Sequence, residues 1–124
     1  MNDDLLQRWH DAVNAADRDG VRDVVADLVV VSGPKGAGAI TSDALAEWIT
    51  RSAIQLRPVA WLPLGDRVTV VEQMATWPES GEPRAVATMF RHSGNRVSAA
   101  LRFTDLAQAF AFAQTYVLLA ASEG

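Results

Sequence analysis

The chain contains no cysteine. Disulfides, thiolate metal sites and cysteine nucleophiles are therefore excluded together. Excess positive charge is missing too: 11 Lys and Arg stand against 15 Asp and Glu, for a net charge of −4. That is the wrong sign for a surface that neutralises phosphates, so no nucleic-acid partner is expected. The only histidines are His10 and His92, with no H-x-x-x-H or H-E-x-x-H spacing, and no metal site is expected. The longest uncharged run, 106–122, contains Gln108, Gln114 and Thr115. It falls short of the roughly 20 apolar residues that span a bilayer. Met1-Asn2-Asp3-Asp4 is acidic where a secretory leader is basic, so a cytoplasmic protein without a membrane partner is expected. A G-x-S-x-G elbow is absent, and Gly33-Pro34-Lys35-Gly36-Ala37-Gly38 lacks the G-x-x-x-x-G-K-[ST] phosphate loop.

What is present is core material. Of 124 residues, 49% are hydrophobic and 21% charged, which predicts one globular domain over 1–124. Leu5, Leu6, Trp9, Ala12, Val13 and Ala16 have the spacing of one buried helix face, with Gln7, Arg8, His10 and Asp11 on the wet side. Asp17 is the expected N-cap of a second helix carrying Val21, Val24, Val25 and Leu28. A short β-branched strand, Leu28-Val29-Val30-Val31, precedes the Gly-rich segment, which reads as a loop and a mobile lip. Thr41, Ser42 and Asp43 offer caps for a third helix that packs Leu45, Trp48, Ile49 and Ser52 inward. Turns at Gly65-Asp66, 78–83 and Ser93-Gly94-Asn95 separate four strands, and a last helix follows Thr104 or Asp105. Hairpin joins predict an antiparallel sheet and an α+β fold.

Two strands carry more specific information. Val97, Ala99, Leu101 and Phe103 alternate with Arg96, Ser98, Ala100 and Arg102, which predicts that the first set faces the core. The strand from Val68 to Trp77 is apolar on both faces and so is expected to be covered on both.

These residues resemble a known family. Arg8-Trp9-His10-Asp11-Ala12-Val13-Asn14-Ala15-Ala16-Asp17 is similar to the opening helix of the SnoaL-like and ketosteroid isomerase-like branch of the nuclear transport factor two-like superfamily. The Gly-Pro-x-Gly segment leading to Leu45-x-x-Trp48 resembles it as well, as does Gly94-Asn95-Arg96-Val97 leading to Phe103-Thr104-Asp105-Leu106. The resemblance implies a cystatin-like cone: a curved antiparallel sheet wrapped around the N-terminal helices, a C-terminal helix, and an apolar pocket open at one end. It also implies a homodimer through the outer sheet face, here expected to use Val71, Ala75 and Trp77 together with the terminal helix. No cofactor is implied.

On that reading the pocket is lined by Leu5, Trp9, Val13, Trp48, Gln73, Val97, Ala99, Leu101 and Phe103. Trp9 matches the tyrosine that donates to the oxyanion in ketosteroid isomerases. The stretch that would carry their general base reads Val31-Ser32-Gly33-Pro34 and holds no carboxylate, which argues against that chemistry. Glu72 is the acid/base candidate if its strand face is concave, because an apolar cone would raise its pKa. A one-residue change of register exchanges Glu72 for Gln73. The expected function is binding of a small hydrophobic or amphipathic metabolite. The alternatives are an isomerase, polyketide-cyclase-like or dehydratase reaction through Glu72, and a non-catalytic protein-interaction module.

Overall fold

The N-terminal apolar spacing forms helix α1 (Asn2–Asn14) in the structure, a computed structural model that describes residues 2–33, 36–79 and 81–122. A tight turn through Ala16, in the left-handed region at φ 51°, leads to α2 (Arg18–Val24). Asp17 caps α2 by accepting from the Gly20 N–H at 3.1 Å. The chain then passes straight into β1 (Val25–Gly33), three residues earlier than the β-branched run alone suggests.

The Gly-rich segment is not a loop over its whole length. Gly36 opens a strand, β2 (Gly36–Thr41), that pairs antiparallel with β1, Gly33 opposite Gly36. Pro34 and Lys35, part of the expected lip, lie outside the described residues. A sheet edge needs little side-chain cover, so glycines that would weaken a central strand are tolerated there. Thr41 accepts from the Ala44 N–H at 3.1 Å and caps α3 (Ser42–Ser52). Then follow β3 (Gln55–Leu64), β4 (Val68–Thr76), β5 (Arg84–Ser93), β6 (Arg96–Phe103) and α4 (Leu106–Ser122).

The six strands form one curved open sheet in the order β2-β1-β6-β5-β4-β3. Every neighbouring pair is antiparallel except β1 and β6, which run parallel. The class is the expected α+β, with one parallel pair that hairpin logic does not reveal, because β1 and β6 are remote in sequence.

Alternation sorts the two faces. Val71 and Ala75 of β4, Val86 and Phe90 of β5, and Val97 of β6 pack on one face against Leu5, Leu6, Trp9, Ala12 and Val13 of α1. Val68 and Val70 of β4, Ala87 and Met89 of β5, and Leu101 and Phe103 of β6 pack on the other against α4. The two-sided strand is thus covered twice by its own chain. Val71 and Ala75 point inward and Trp77 packs against the inner cluster, contrary to their expected place on a dimer face.

Helix α4 reaches the sheet closely because its contact residues are small: Ala109 and Ala113 are fully buried. Asp105 accepts from the Gln108 N–H at 2.8 Å at its start, and Arg91 of β5 donates to the Tyr116 hydroxyl at 3.2 Å further along. Phe112, Leu118 and Leu119 remain exposed.

Strand β3 is a sheet edge, and Asn14 closes part of it. The Asn14 side chain accepts from the Leu56 N–H at 2.7 Å and donates to the Leu56 carbonyl at 2.8 Å, in the manner of another strand. Gln55 donates to the Asn14 carbonyl at 2.9 Å. The end of α1 is thereby fixed to the sheet. Asn14→Ala is expected to lower stability by about 2 kcal/mol, since Leu56 loses both partners. A urea titration checks this, and an unchanged midpoint would contradict the role.

Candidate functional site

A cavity of about 230 Å³ opens between the helices and the inner face of the sheet. Trp9 and Val13 of α1 form one wall, and Leu45, Trp48 and Ile49 of α3 form the second. Ile54 and Leu56 close one side; Val31 and Ser32 of β1, Thr88 of β5, and Ala100 and Arg102 of β6 supply the sheet side. A wider groove of about 430 Å³ runs beside β3, past Arg57, Met74, Thr76 and Pro83, but it is a surface depression lined by exposed and half-buried residues except for Leu56.

Of the pocket residues expected from the sequence, Trp9, Val13 and Trp48 line the cavity. Leu5 and Val97 are buried in the inner cluster beside it. Ala99, Leu101 and Phe103 are not cavity residues: Leu101 and Phe103 pack under α4, on the opposite face. The cause is a bulge. His92 pairs with Val97 and Arg91 pairs with Ala99, which leaves Ser98 as an extra residue. Its hydroxyl accepts from Arg91 Nε at 2.9 Å and donates to the Arg91 carbonyl at 3.2 Å. One extra residue reverses the facing of everything beyond it, so Ala100 and Arg102 turn inward in place of Ala99, Leu101 and Phe103.

Glu72 also lies away from the cavity. It shares its side of β4 with Val68 and Val70, stands opposite Ala87 of β5, and is half-buried on the α4 side. The alternate register holds: Gln73 faces inward and is fully buried.

Gln73 belongs to a buried polar thread. Thr88 Oγ1 donates to Gln73 Oε1 at 2.7 Å, Gln73 Nε2 meets His10 Nε2 at 2.8 Å, and His10 Nδ1 meets the Leu6 carbonyl at 2.7 Å. A carbonyl only accepts, so Nδ1 carries the imidazole proton and Nε2 accepts from the Gln73 amide. The Thr88 hydroxyl proton is committed to Gln73. The Thr88 oxygen therefore presents lone pairs, not a donor, to the cavity it lines. His10, placed by composition on the wet side of α1, is wholly buried between Trp9, Trp61 and Phe90. Its position four residues after Leu6 and three before Val13 was the available signal.

Arg102 has the opposite character. Its hydrophobic surroundings pull its pKa below the usual arginine value by desolvation. Its guanidinium lies 5.8 Å from the centre of the Trp77 ring, and it makes no ion pair with a carboxylate among the described residues. Ser32 holds its backbone: the hydroxyl accepts from Arg102 N at 2.8 Å and donates to Arg102 O at 3.4 Å. The cavity lining includes no Asp, Glu or His among the described residues. His92 is buried on the inner face but outside the lining, with its pKa lowered by burial and then by nearby Arg67. Among the described residues no group of three or more His, Asp or Glu side chains is placed to hold a metal ion, and no helix is long and apolar enough to cross a membrane.

Burial of His10 lowers its pKa, an effect only partly offset by the Leu6 carbonyl and Asp11. Below the ordinary histidine value of about 6.5, the unfolded chain takes up a proton that the folded chain refuses. Stability present above that value is thus lost as pH falls towards the folded pKa, by at most about 1.4 kcal/mol per pH unit for this group. Urea midpoints between pH 7.5 and 5.5 are expected to fall in the unaltered chain and to fall less in His10→Gln. Parallel slopes would contradict the assignment.

No family model and no curated protein matches the sequence. Solved structures do match its fold. A nuclear transport factor two-like protein of unknown function from Cytophaga hutchinsonii aligns with a TM-score of 0.74 at 12% identity, over 89% of this chain and 95% of that one. A putative polyketide cyclase from Sinorhizobium meliloti aligns at 0.69 and 16% identity, over 80% and 93%. A putative ketosteroid isomerase from Kribbella flavida aligns at 0.66 and 19% identity, over 80% and 73%. At such identities the likeness speaks for architecture and not for activity. The chain has the nuclear transport factor two-like, cystatin-like fold.

Proposed function

We propose that this protein binds a small amphipathic molecule in the cavity between α1, α3 and the sheet, without acid/base chemistry. The observation that carries the reading is the lining itself: apolar walls, a few polar groups, and no carboxylate or imidazole among the described residues. Ligand sites have this make-up. Proton transfer needs a titratable group within hydrogen-bond reach of the substrate, and Glu72 stands on the far side of β4. An isomerase, cyclase or dehydratase working through Glu72 is for that reason the weaker reading. A protein-interaction module with a filled cone is weaker as well, since the space is open.

At about 30 Å³ per water-sized group, the cavity encloses about eight non-hydrogen groups, and a ligand of about eleven extends to the rim at Trp48, which is 50% exposed. Small ligands gain between about 0.3 and 1.5 kcal/mol per atom, so eight enclosed groups bound the dissociation constant between about 20 mM and about 2 nM. Ala100 offers a direct test because its methyl group faces the cavity. Ala100→Phe is expected to weaken binding of naphthol, followed by tryptophan fluorescence, at least 10-fold at unchanged far-ultraviolet circular dichroism. Unaltered binding in that variant would place the ligand elsewhere.

For assembly, the expected homodimer has lost its basis on the sheet, where α4 now lies, and would have to use the outer side of α4. Phe112, Leu118 and Leu119 are the exposed apolar groups that a second copy would cover there. Light scattering at micromolar concentration is expected to give twice the chain mass, falling to one chain in the double variant Leu118→Glu, Leu119→Glu. A monomeric unaltered chain would refute the pairing.

A further inference from the structure

Two nitrogens in the cavity wall lack partners. Trp9 Nε1 and Arg102 Nε are both buried, and neither has a hydrogen-bond acceptor among the described residues. They come from α1 and β6, elements far apart in sequence, yet both side chains line the same space. A buried donor without an acceptor is costly, and a charged one more so. The Trp77 ring beneath the guanidinium stabilises positive charge through its face but offers no acceptor to the Nε–H, which lies in the guanidinium plane. The nearest hydroxyl partner, Ser32, is already spent on the Arg102 backbone.

We propose that the ligand is a small organic acid whose carboxylate accepts from Arg102 and Trp9, with its apolar tail against Val13, Leu45 and Ala100. This rests on the cavity being a ligand site. A monoanion fits better than a phosphate. Among the described residues the lining supplies one cation, Arg102, and no lysine or second arginine, so a dianion would be left half neutralised in apolar surroundings. A planar carboxylate also matches the planar fork of a guanidinium. Desolvation pulls the Arg102 pKa down, and an anion at the guanidinium would relieve that penalty. The tail has space for a single ring or a short alkyl chain.

Calorimetric titration of the full chain near neutral pH with cinnamate and with cinnamamide tests this. The two have the same shape and number of non-hydrogen atoms and differ in charge. Cinnamate is expected to bind at least 10-fold more tightly than cinnamamide. Arg102→Met, which keeps an apolar stem, is expected to remove that preference and bring the two affinities within about threefold of each other. Trp9→Phe, which removes only the indole donor, is expected to weaken cinnamate by about three- to tenfold. Should Arg102→Met fail to fold, the acid-to-amide ratio of the unaltered chain decides alone. Equal affinity for acid and amide would overturn the anion and leave the pocket reading standing. Binding of neither, nor of octanoate and octanamide, would overturn both.

Discussion

Ser98 has no counterpart on β5: the pairs on either side of it, His92 with Val97 and Arg91 with Ala99, leave it out of the ladder. Its hydroxyl and carbonyl are held by Arg91, and Arg91 reaches on to Tyr116 of α4. The same arginine therefore stabilises the bulge and anchors the helix that covers the outer face. Because side chains alternate, the inserted residue turns Ala100 and Arg102 into the cavity and sends Leu101 and Phe103 beneath α4. Without it, the inner face would receive two large apolar side chains, and the arginine would stand against the helix. Both the open space and its one cation depend on this residue.

The polar thread from Thr88 to the Leu6 carbonyl does complementary work. Gln73 and His10 sit in the inner core without charge, each satisfied by its neighbour. A buried network of this kind fixes the register between α1 and the sheet, because any slip would strand a buried amide or imidazole. It also determines what the cavity offers. The thread leaves an oxygen acceptor at Thr88 on the cavity lining, to which Trp9 and Arg102 bring unpartnered donors. Rigid walls with opposed hydrogen-bonding character suit the orientation of a small polar head, and the apolar α3 side suits its tail.

Much of the architecture was legible in the residues. Helical spacing set α1 and α3, Asp17 announced the cap of α2 and Thr41 that of α3, and Gly65 and Gly94, both with positive φ, mark turns where the strands reverse. Trp9, Val13 and Trp48 reached the cavity as their helix faces required. What failed to show was non-local. The Ser98 bulge needs Arg91 opposite, and nothing in the run Arg96 to Phe103 betrays an added residue; its clean alternation points to the wrong face. The choice between Glu72 and Gln73 turned on register, which depends on His10 waiting across the core. His10 was itself misplaced because a polar side chain on a helix defaults to water unless its partner is known. The strand formed by Gly36 and Gly38 needs only β1 beside it, a condition no local propensity expresses.

The central claim is that Arg102 and Trp9 hold free donors in one cavity and give them to a carboxylate. Side-chain N–H resonances of the nitrogen-labelled chain report this directly, with Trp9→Phe identifying the indole signal. On addition of cinnamate, the Trp9 Nε1–H and Arg102 Nε–H resonances should move downfield together and saturate at one ligand per chain. Cinnamamide should leave the Arg102 signal nearly in place. An Arg102 Nε–H that does not move with the acid, or that already exchanges freely with water in the ligand-free chain, would contradict the account.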